Sequence, residues 1–112
     1  MYVYAVIAKL EDYFGITPVV ACIEKTSEKA LAAVKREKKH YCNDTVLEIK
    51  RFRVDKKDKV FLVVSEEEDA GAYFNHFLHL TTSEKRANGW KKNYENRKLG
   101  YNLHIITYII EE

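Results

Sequence analysis

One proline, four glycines and two cysteines among 112 residues leave little with which to build a low-complexity or disulfide-stapled chain. Cys22 lies in an apolar stretch where a buried free thiol is the ordinary outcome, so no disulfide with Cys42 is expected. No apolar run reaches the roughly 20 residues that cross a bilayer. Met1-Tyr2-Val3-Tyr4 has no basic start, apolar stretch or cleavage site of a secretory signal. These absences lead us to expect a reducing, cytoplasmic setting and no membrane partner. An excess of one charge is also missing: the formal net charge is +2, too little by itself to imply a polyanionic partner. Ser27, Ser65 and Ser83 have no glycine elbow around them, and four scattered glycines make no phosphate loop. His76 and His79, even with Cys42 or His104, lack the Cys-x-x-Cys or His-x-x-x-His spacing of a zinc site. Neither a cofactor nor a metal is expected, and no enzyme signature stands out.

What remains is a well-patterned chain, 46% hydrophobic and 32% charged, long enough for one domain over residues 1–112. Tyr2, Tyr4 and Val6 alternate with Val3, Ala5 and Ile7, so the first strand is apolar on both faces and belongs inside a sheet; Leu103 to Ile110 has the same property, and the two are expected to be neighbours. Pro18 in the second apolar run, Ile16 to Ile23, points to an edge or an entry position. Thr26-Ser27-Glu28 opens a helix, with Ser27 as its cap and Ala30, Leu31, Val34 and Tyr41 as its apolar stripe.

Val46 to Val54 reads as a strand whose alternation slips at Lys50-Arg51, where a bulge is expected. Val60 to Val64 reads as the returning strand of a hairpin. Glu66 to Asp69 then precede Ala70, Tyr73, Phe74, Phe77 and Leu78, whose offsets of 3, 4, 7 and 8 describe a second helix. Thr82-Ser83-Glu84-Lys85 echoes Thr26-Ser27-Glu28-Lys29, but four residues are too short an echo to establish a repeat. Residues 81–101 are read as a further capped helix broken near Gly89. The expected order is β-β-α-β-β-α-(α)-β: an α+β domain with a largely antiparallel sheet of about five strands and two or three helices packed on it.

The segment Lys85 to Lys98 carries Lys85, Arg86, Lys91, Lys92, Arg97 and Lys98 against Glu95, with Trp90 and Tyr94 four apart. Cations neutralise phosphates while aromatic faces stack on bases, so these eight residues are candidates for binding nucleic acid or another anion. Residues 35–59 add ten basic side chains against five acidic ones. They would extend that surface if both segments faced one side.

Val3-Tyr4 and Tyr13-Phe14-Gly15-Ile16-Thr17 resemble the two halves of the GIY-YIG nuclease signature, and Arg36 with His40 resembles that family's helical arginine and its partner. The resemblance implies a metal-dependent nuclease with Tyr4, Tyr13, Arg36 and His40 around the scissile phosphate and Glu48 as a positional choice of metal ligand. Three features depart from the family: no glycine in Tyr2-Val3-Tyr4, a helix starting some ten residues late, and Glu48 on a strand. Separately, a tyrosine-rich first strand, a second strand ending Ile23-Glu24-Lys25 and then Thr26-Ser27-Glu28-Lys29-Ala30 resembles the opening of many small uncharacterised bacterial and phage proteins. That likeness covers about residues 2–40 and implies an interaction role, with no functional residue carried over.

The leading expectation is therefore a non-enzymatic interaction protein of bacterial or phage type that binds a partner protein, with homodimer formation left open. The alternative is a nucleic-acid-binding module using residues 85–98.

Overall fold

The computed structural model describes residues 1–12, 15–56, 58–69, 72–96 and 102–110. Among the described residues, six strands and two helices follow in the order β1 (Tyr2–Asp12), β2 (Gly15–Glu24), α1 (Ser27–Glu37), β3 (Val46–Arg53), β4 (Lys59–Asp69), β5 (Ala72–Thr81), α2 (Glu84–Asn96) and β6 (Asn102–Ile109), with a 3-10 turn at Lys38–His40. The α+β class holds. The single five-stranded sheet does not: two antiparallel three-stranded sheets form instead, ordered β2-β1-β3 and β5-β4-β6. β1 and β6, expected to be neighbours, are the centre of one sheet and the edge of the other.

The two sheets are built from one repeated β-β-α-β unit. β4, β5 and α2 start 57 residues after β1, β2 and α1, at Lys59, Ala72 and Glu84 against Tyr2, Gly15 and Ser27; β6 starts 56 after β3. Irregularities repeat with the elements. The β1–β2 register shifts between Val6 and Ile7, and the β4–β5 register between Val63 and Val64. Val54 N donates to Met1 O at 2.9 Å, and Ile110 N to Asp58 O at 2.8 Å. Thr26 Oγ1 accepts from Lys29 N, and Ser83 Oγ from Arg86 N, both at 3.2 Å. Each cap contributes about 1 kcal/mol to its helix. Thr26, not Ser27, is the first cap, so the four-residue echo in the sequence lies one residue out of the structural register.

The sheets pack face to face on a shared core to which each unit gives five buried side chains at matching places: Val3, Ala5, Ile7, Ile23 and Val54 from the first, Val60, Leu62, Val64, Leu80 and Ile110 from the second. Each helix covers the other face of its own sheet. Val6, Cys22, Ala30 and Ala33 form the contact under α1, and Phe61, Val63 and Ala87 the contact under α2. Strands β1 and β4 are therefore covered on both sides, which is why their sequences are apolar on both alternating faces. Leu31 points outward, 60% exposed, and is no part of the stripe under α1.

Four further expectations give way to this architecture. Residues 72–81 are a strand, because aromatic residues suit a pleated surface and the aromatic spacing matches a helix only by coincidence. The slip at Lys50-Arg51 is no bulge, since β1 pairs with β3 without interruption from Tyr2↔Arg53 to Lys9↔Val46. Leu47 and Ile49 pack under α1, whereas Phe52 packs into the shared core, so the hydrophobic side simply changes from one covered face to the other. Finally, β3 and β4 form no hairpin, as they lie in different sheets, and α2 runs unbroken through Gly89.

Candidate interaction surfaces

The repeat places a cleft beside each helix. Beside α1, Cys22, Glu24, Lys29, Ala32, Arg36 and Glu37, with Tyr108 and Ile109 of the second unit, are among the residues around about 640 Å³. Beside α2, Arg86, Gly89, Trp90 and Asn93 line about 310 Å³. Lys29, Ala32 and Arg36 correspond, 57 residues on, to Arg86, Gly89 and Asn93, so the two hollows are one feature with diverged chemistry.

The first cleft is polar and internally paired. Arg36 reaches Glu24 and Glu37, each at 3.5 Å. Tyr108, from the second unit, crosses to accept a hydrogen bond from Ile23 N at 3.4 Å. Cys22 is buried, and burial together with Glu24 and Glu37 pushes its thiol up to about 11 despite the opposing Arg36. A thiol so placed stays protonated and is a poor nucleophile near neutral pH. Cys42 is free and exposed.

The second hollow is aromatic. Trp90 stacks on His79, with ring centroids 4.0 Å apart, and is followed by Tyr94 at 6.0 Å. Where the first unit has the small pair Cys22 and Ala33, the second has His79 and Trp90. Trp90 remains 39% exposed. Helical geometry separates the cations predicted to act with it. Lys85 and Lys92, seven apart, share the outward crest of α2; Arg86 accompanies Trp90 and Asn93 on one flank; Lys91 falls toward the opposite flank. Lys85, Arg86 and Lys92 are exposed, and Tyr94 is half-buried. Arg97 and Lys98 lie outside the described residues. The basic strand β3 belongs to the other sheet, while α2 packs on β4, β5 and β6.

The residues of the nuclease resemblance are not gathered. Tyr4 packs under α1, whereas Glu48 pairs in register with Ile7 of the shared core, so the two occupy opposite faces of their sheet. Glu48 is paired with Lys9 at 3.1 Å, and His40 is exposed at the end of the 3-10 turn. Tyr13 lies outside the described residues. Among the described residues no three His, Cys, Asp or Glu side chains are grouped to hold a metal ion, and no helix is long and apolar enough to cross a membrane.

Sequence reasoning put Pro18 at an edge, and β2 does end its sheet, but it assigned no edge among the later strands. β2 and β5 lie against each other, which leaves β3 and β6 as the outer strands of their sheets. β3 carries Glu48, Lys50, Arg51 and Arg53, with Arg51 held 4.4 Å over the Tyr2 ring. β6 reads Asn-Leu-His-Ile-Ile-Thr-Tyr-Ile, without Lys, Arg, Asp, Glu, Pro or Gly, and pairs with β4 without a register shift from Lys59↔Ile109 to Glu66↔Asn102. The missing charges were visible in the sequence, but the edge position was not.

No family model matches the chain, and neither the curated proteins nor the solved structures provide a match.

Proposed function

We propose that this chain is a non-enzymatic interaction protein of bacterial or phage type, acting in the cytoplasm, which takes an added β-strand from a partner protein along the outer side of β6. The observation that carries the reading is the eight-residue β6 edge itself, regular and free of charged residues. An open edge presents unpaired N–H and C=O groups that template another strand, and proteins that avoid such pairing guard their edges with charge, proline or a bulge. β3 has that guard and β6 does not. Two free cysteines fit a reducing compartment.

The test is capture on a tagged chain, read before and after nuclease treatment, beside a variant carrying Thr107→Lys and Ile109→Lys. Both positions are exposed, so the lysines alter the edge and leave the core intact. A protein, whether of the host or an untagged copy of this chain, should be held by the wild type and released by the variant. Equal retention by both, or none by either, refutes the reading.

A second reading, nucleic-acid binding through α2, is favoured by the exposure of Trp90 beside Arg86 on one flank. It predicts single-strand binding that weakens steeply with salt and is lost in Trp90→Ala. Partners removed entirely by nuclease treatment would support it over strand addition.

A further inference from the structure

We infer that the strand added to β6 is β6 of a second copy of this chain, running antiparallel, so that two molecules fuse their second sheets into one of six strands. The inference rests on the strand-addition reading above. Its first support is the repeat, which acts as an internal control. β3 and β6 hold the same place in equivalent sheets and have the same length, so the fold makes the same demands of both. β3 meets those demands with four charged residues and β6 with none, so the lack of charge on β6 is no requirement of the fold.

The second support is self-complementarity. A two-fold axis through Ile106 sets each side chain from Leu103 to Ile109 opposite one from the same face of the sheet. Ile106 meets its own copy, His104 meets Tyr108, Ile105 meets Thr107 and Leu103 meets Ile109. No pair brings like charges together, and apolar and aromatic pairs of this kind stabilise adjacent strands. The same operation on β3 at the equivalent position, Lys50, sets that cation against itself. The pairing also prolongs packing that already exists, since Ile106 and Tyr108 lie against the shared core and Ile105 against the contact under α2. Ile109 is 70% exposed, more than any other large apolar side chain among the described residues, and the Leu103 pairing covers it twice. An identical strand fits this edge by symmetry, without a separate recognition element.

Light scattering after size exclusion tests this on the full chain. The wild type should elute at twice the chain mass at tens of micromolar, and the variant with Thr107→Lys and Ile109→Lys at the single mass, with an unchanged circular dichroism spectrum. In a background with Cys22→Ser and Cys42→Ser, Ile106→Cys should give a disulfide-linked dimer on mild oxidation, because it lies on the axis. A wild type that stays monomeric while its edge still captures another protein overturns self-pairing alone. A monomer that captures nothing overturns strand addition as well. A dimer that survives both lysines places the contact elsewhere and overturns both.

Discussion

Leu62→Ala should unfold both units more easily, even though the substituted residue belongs to only one of them. Leu62 is 3% exposed in the core shared by the two sheets. Removing three carbons forfeits about 0.8 kcal/mol each, and the cavity left between two rigid sheets raises the cost to about 3 kcal/mol. For a chain of this length about 1 kcal/mol moves the melting midpoint by some 4 °C, so a fall of about 12 °C is expected. Two natural probes separate the halves. Trp90 is the sole tryptophan and reports on the second unit, while the buried Cys22 reports on the first through its reactivity in a Cys42→Ser background. In urea, Trp90 fluorescence and pulsed labelling of Cys22 should give one coincident transition, shifted equally by Leu62→Ala. A shift in the Trp90 transition with the Cys22 transition unmoved would refute the claim that one core holds both units.

Gly89 sits within α2 where a Cβ would meet no atom within 4 Å, and its counterpart in α1 is Ala32. Gly89→Ala should therefore stabilise the chain by about 0.5–1 kcal/mol, read as a higher urea midpoint; an unchanged or lower midpoint would contradict it. His79 is held below its ordinary value of about 6.5 by burial beside Trp90 and, secondarily, by the charge of Arg86. Folding thus disfavours its protonated form, and its contribution is complete above about pH 6.5 and declines as the pH falls below that value. Between pH 7.5 and 5.5 the wild type should lose more stability than His79→Gln, and equal losses would remove His79 as the cause.

The opening of the fold was legible because its local signals agree: alternating apolar residues in β1, Pro18 on an edge strand, and a capped helix after Thr26. Legibility fell in the edge strands β5 and β3, whose apolar residues are divided between two covered faces. Period-two alternation disappears there, so Phe77 and Leu78 fitted a helical template as well as a strand, and the change of covered face at Phe52 passed for a bulge. α2 was legible as a capped helix, but its continuity through Gly89 was obscured for the opposite reason. Ala87 is its only fully buried residue among those described, and a helix anchored by one small side chain has little apolar stripe to display. The repeat itself was hidden by divergence at matched positions, such as Cys22 against His79 and Arg36 against Asn93, since the fold requires their places and not their chemistry. The candidate edge was half legible: composition gave its lack of charge, but only long-range pairing decides which strand ends a sheet.

The five-against-five construction of the shared core has a consequence for stoichiometry. Each half by itself is a protein with a sticky face, and in separate chains the halves would meet at a rate set by dilution. The few residues that join Val54 to Lys59 act as a tether, holding each half near its mate at an effective concentration of about millimolar. Assembly of the sandwich is thereby made independent of how much protein is present.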